Sequence, residues 1–135
     1  MSRRATGSFE VKLNPQQPAD EIAAANLGRM SIVKRFSGDL QASSLGEMLA
    51  VRTATEGSAG YVALERVTGT LDGREGEFVL QHLGIMDRGA RRLQVSVVPD
   101  SGTGRLAGIT GAMNIRIENG RHDYDFDYAL PESAD

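Results

Sequence analysis

The chain has 135 residues, 15 basic and 18 acidic side chains for a formal net charge of −3, 40% hydrophobic and 24% charged residues, and no cysteine. That is the size and balance of one globular domain over residues 1–135, and neither a disordered tail nor a membrane span fits it. The missing cysteines exclude disulfides, thiolate metal sites and thiol nucleophiles, and a sequence pI near 5.4 argues against non-specific nucleic-acid binding.

Met1 to Glu10 carries Arg3 and Arg4 but lacks the apolar run of roughly 7–15 residues that a secretory leader needs, so a cytoplasmic location is expected. Phe9, Val11 and Leu13 alternate with Ser8, Glu10 and Lys12, the period of a strand. Asn14 to Asn26, with Pro15 and Pro18, reads as a long loop with room for a helical turn at Glu21 to Ala25. Six further segments alternate: Met30 to Phe36, Leu45 to Val51, Tyr61 to Leu71, Phe78 to Met86, Leu93 to Val98 and Ile109 to Ile117. The last strand sets Tyr124, Phe126 and Tyr128 against Asp123, Asp125 and Asp127.

About eight strands in succession need short connections. Asp72-Gly73 and Asn119-Gly120 suit type I′ hairpins, and Gly57 to Gly60, Asp87 to Ala90 and Asp100 to Gly104 are rich in turn formers. Glycine is 16 of 135 residues, about 12% against a usual 7%, and Gly46, Gly69, Gly84 and Gly111 fall inside strands where a sheet must bend. An antiparallel meander with no long helix to cover its edges removes them by closing. The fold class is therefore all-β, a closed up-and-down barrel of about eight strands, wide enough for side chains or one small ligand.

The stretches GYVALERVTGTLDGREGEFVLQH (Gly60 to His82) and VVPDSGTGRLAGITG (Val97 to Gly111), with GSFEVKL near the start and HDYDFDYAL near the end, cover nearly the whole chain. In these stretches the sequence resembles a family of small bacterial proteins, the domain of unknown function 3224. The resemblance implies an allene oxide cyclase-like barrel. It implies no activity, because no allene oxide cyclase site residue can be matched onto this chain. Cyclase or isomerase chemistry is a fold-level analogy.

Motifs with independent meaning fail on context. Gly102-Thr103-Gly104-Arg105-Leu106-Ala107 has dinucleotide-fingerprint spacing but leads into an alternating strand rather than a helix. Asp123, Asp125 and Asp127 resemble the start of a calcium loop, yet Tyr128 replaces its glycine and Ala134 its glutamate. On a strand the three share one face, expected on the exterior beside Lys12 or Arg116. His82 and His122 lack metal-ligand spacing, and no nucleophile elbow occurs, so no cofactor and no metal are expected.

Tyr61, Glu65, Gln81 and His82 are the candidate ligand-binding residues, polar positions in otherwise apolar strands. Parity leaves open whether Glu65 or Arg66 faces inward. An inward Glu65 must be neutral, wet or paired, and His82 on the next strand is a partner within reach. The expected function is binding of a small apolar or amphipathic molecule in an interior lined by Met30, Ile32, Leu49, Tyr61, Leu80, Met113 and Phe126. The alternative is a solid barrel that acts through its outside: Leu93 to Val98 and Leu83 to Ile85 are apolar on both faces, which suggests a homo-oligomer. No nucleic-acid or membrane partner is expected.

Overall fold

A computed structural model describes residues 2–131. The strands are β1 (Ser2–Gln16), β2 (Gly28–Gly38), β3 (Leu40–Arg52), β4 (Ala59–Leu71), β5 (Arg74–Asp87), β6 (Ala90–Val97), β7 (Thr110–Glu118) and β8 (Arg121–Ala129). They pair in sequence order, and β1 closes on β8 to complete an antiparallel barrel. Asp72 and Gly73 have φ of 48° and 83°, and Asn119 and Gly120 have 52° and 78°, the paired positive values of a type I′ turn. Arg88 and Gly89, at 49° and 92°, make a third such turn between β5 and β6. The loop after β1 begins only past Gln16, and its alanines form one 3-10 turn, Ala23–Ala25. No helix among the described residues is long and apolar enough to cross a membrane.

Alternation sorts the side chains. Phe9, Phe36, Phe78, Tyr124, Phe126 and Tyr128 fill one end of the interior, each buried, with the Phe78 and Phe126 rings stacked at 5.6 Å. Each such side chain contributes roughly 1.5–3 kcal/mol on burial. The Tyr124 hydroxyl donates to the Ser37 carbonyl at 2.9 Å and accepts from the Leu40 N–H at 3.0 Å, so the ring pins the β2–β3 turn. Leu106 and Ile109, in the connection from β6 to β7, are also buried and close that end. Outside, Asp123, Asp125 and Asp127 pair with Arg121, Arg116 and Arg4; Arg116 is the expected partner, while Lys12 is not used.

The expected interior residues Met30, Ile32, Tyr61, Leu80, Met113 and Phe126 are buried or half-buried. Leu49 is a correction: it points outward and is 45% exposed. Strand β3 is apolar on both faces, and its partners place Ser44, Met48 and Ala50 inside, so strict alternation turns Leu49 out.

Candidate functional site

The unbroken registers of β3 with β4 and β4 with β5 settle the parity of the polar residues. Glu65 faces inward and Arg66 outward. Across the sheet Glu65 lies opposite Gly46 on one side and Leu80 on the other, and Ala63 lies opposite His82. A Cβ on Gly46 would lie 2.2 Å from the Leu64 carbonyl oxygen and 2.8 Å from the Glu65 Cβ, so glycine there lets β3 pass close to the site.

Three donors converge on the Glu65 carboxylate. Lys34 Nζ donates to Oε2 at 2.8 Å, Ser44 Oγ donates to Oε1 at 2.7 Å, and His82 Nε2 stands 2.5 Å from Oε2. All four residues are buried. Lys34 Nζ also lies 4.6 Å from the centre of the Phe9 ring, an added cation–π contact. Burial pushes the Glu65 carboxyl upward, but the His82 hydrogen bond and the Lys34 charge together outweigh it and hold the pKa at about 2. The carboxylate is therefore ionised, so the Nε2 facing it carries a hydrogen. With Nε2 so engaged, Nδ1 faces the Tyr61 hydroxyl, 3.4 Å away.

Tyr61 ends the chain of contacts at a recess. Its ring lies over Gly84, its cross-strand neighbour, where an added Cβ would come within 2.2 Å of Cε1. The recess occupies the barrel end opposite the aromatic cluster, has a volume of about 310 Å³, and is lined by Leu13, Met30, Met48, Tyr61, Met86 and Leu93 among others. Glu65 and His82 do not line it. Burial and then the Glu65 charge raise the Tyr61 phenol above its ordinary range, while Arg91 opposes them. A neutral hydroxyl is thus the polar group that a molecule in the recess would meet first.

Of the four candidates, the structure brings Tyr61, Glu65 and His82 together and separates Gln81 from them. Gln81 is exposed on the outer face, as a neighbour of inward His82 in an unbulged strand must be. It lines a groove of about 640 Å³ on the outside, between the loop at Pro18 to Leu27 and Leu49, Val62 and Leu64. This groove is larger than the recess, but its charged lining is the solvent-exposed pair of Arg29 and Glu47, which carries no buried polar chemistry. Lys34 and Ser44 were not foreseen as partners of Glu65. The signal for Lys34 was its place between Ile32 and Phe36 on one parity of β2. Among the described residues no group of three His, Asp or Glu side chains could hold a metal ion.

A family model described as "Protein of unknown function (DUF3224)" matches residues 5–128, which include every member of this network. The chain belongs to the DUF3224 family. A DUF3224-family protein of unknown function from Shewanella oneidensis MR-1, solved by crystallography, matches it with a TM-score of 0.91 and 50% identity over 98% of this chain and 100% of that one. A comparison with curated proteins gives no match.

Proposed function

We propose that this DUF3224 barrel binds a small apolar or amphipathic molecule in its open end. The observation that carries the reading is the methionine-lined recess of about 310 Å³, ending on Tyr61. Pockets that hold small ligands run from about 300 to 1,000 Å³, are mostly apolar and have few polar groups. Met30, Met48 and Met86 give adaptable walls. The Glu65, Lys34, Ser44 and His82 network supports Tyr61 from behind and resists collapse of the floor. Because a guest meets the Tyr61 hydroxyl rather than the carboxylate or the imidazole, binding is favoured over acid–base work by the Glu65 and His82 pair.

Native mass spectrometry of the protein from its own host, set against the denatured chain, tests this. A co-purifying mass that disappears in Ala50→Phe, which fills the recess, is the expected result. An empty protein that also fails to take up added apolar compounds would overturn the reading.

The outer surface supports a second role, self-association. Leu45, Leu64, Val62 and Leu83 are 69%, 54%, 49% and 47% exposed on β3, β4 and β5, an apolar face that a closed barrel does not need. Light scattering that gives a multiple of 14.5 kDa, reduced to the single chain by Leu64→Lys, is the expected outcome. A monomer at high concentration would exclude it.

A further inference from the structure

The outermost interior-facing row runs Arg52, Ala59, Met86 and Arg91 across β3 to β6, and the next row runs Ala50, Tyr61, Gly84 and Leu93. The recess therefore has apolar walls and a cationic rim of Arg52 and Arg91, while Arg92, of the outward parity opposite Ile85, touches only its edge. Among the described residues no acidic side chain lines the recess. Among the described residues Arg52 and Arg91 form no ion pair, although Arg4, Arg29, Arg116 and Arg121 each hold a carboxylate elsewhere. In a chain of net charge −3, the lining of this opening carries arginines and no carboxylate.

We propose that the recess takes an amphipathic anion, its apolar body against Met30, Met48 and Leu93 and its carboxylate, or a similar oxyanion, between Arg52 and Arg91. This rests on the binding function proposed above and adds the charge of the ligand and the direction in which it lies. The head points outward because the inner end of the recess offers only the Tyr61 hydroxyl, the Lys34 charge behind it being already paired with Glu65, whereas the rim offers planar guanidinium donors that match an oxyanion. At roughly 30 Å³ for each water-sized group, a recess of about 310 Å³ takes about ten non-hydrogen atoms.

Calorimetric titration with decanoate, 1-decanol and decyltrimethylammonium at near-neutral pH and low salt tests the charge. Decanoate is expected to bind about five- to tenfold tighter than 1-decanol, with the advantage shrinking in about 0.5 M salt. Combining Arg52→Gln and Arg91→Gln should abolish that advantage, weakening decanoate at least fivefold more than 1-decanol; both positions are exposed, so the fold is kept. Ala50→Phe should weaken every ligand, and Ala59→Leu at the rim replaces it if Ala50→Phe does not fold. If 1-decanol or the ammonium compound binds as well as decanoate, or the arginine variant keeps the preference, the anion inference fails while binding stands. If no compound binds, or filling the recess changes nothing, both fail.

Discussion

Lys34 on β2 reaches past β3 to Glu65 on β4, Nζ to Oε2 at 2.8 Å, with side chains 6% and 0% exposed. An ammonium or a carboxylate left alone at that depth is worth several kcal/mol of destabilisation, a large part of a total of about 5–15 kcal/mol. Their proximity therefore has a direct consequence for folding. Lys34→Met and Glu65→Gln should each lower stability by about 3–5 kcal/mol. The double variant should cost less than the sum by more than about 1 kcal/mol, because neither charge is then stranded. Urea unfolding of the four proteins measures this, and additive losses would show that the pair is not coupled.

The same carboxylate sets an acid limit. Its folded pKa of about 2 lies below the ordinary 4.5, so the stabilisation is present above about pH 4.5 and is lost as pH falls toward 2. The size is on the order of 3 kcal/mol. Stability measured by urea unfolding across that range should fall steeply in the wild type and more gently in Glu65→Gln. Parallel curves would place the acid sensitivity elsewhere.

The three tyrosines set an alkaline limit. Burial raises all of them above 10, and for Tyr128 the hydrogen bond to Asp72 helps raise it to about 12. A raised folded pKa favours the neutral phenol, so this stabilisation is intact below about pH 10 and is lost as pH rises toward 12. Phenolate absorbance should therefore appear later in the native protein than in urea, where all three titrate near 10. Native titration of even one tyrosine at its ordinary value would contradict the packing described.

Gly84 is expected to be sensitive out of proportion to its size. In Gly84→Ala the new methyl would meet the Tyr61 ring at 2.2 Å and push it toward the recess. A cost of about 1–3 kcal/mol is expected, partly recovered when Tyr61→Ser is added. Equal stability of Gly84→Ala and wild type by thermal unfolding would show that the ring has room to move.

The eight strands and two of the three type I′ turns were legible because period-two alternation and the Asp-Gly and Asn-Gly pairs are local signals. Which face of β3, β4 and β5 turned inward was not local. Apolar residues occur on both faces, and only the partners' registers decide, so Glu65 stayed undecided, and Leu49 and Gln81 were expected inside and lie outside. Lys34 was legible in principle, through its parity with Ile32 and Phe36, but a strand lysine ordinarily belongs to a solvated face. The short Arg88-Gly89 turn was visible only as turn-rich composition. The recess depends on how far β1 to β6 extend past one another, which alternation does not report.

Strands β6 and β7 are joined by a single registered pair, Ser96 with Ala112, whereas each neighbouring seam is continuous. The tube is thus least tightly laced beside β6, and β6 supplies Arg91 and Leu93 to the recess. Sparse lacing lowers the free energy of local opening. The seam that opens most easily is then the one beside the recess, so that side of the tube can part without unrolling the aromatic end that holds the barrel together.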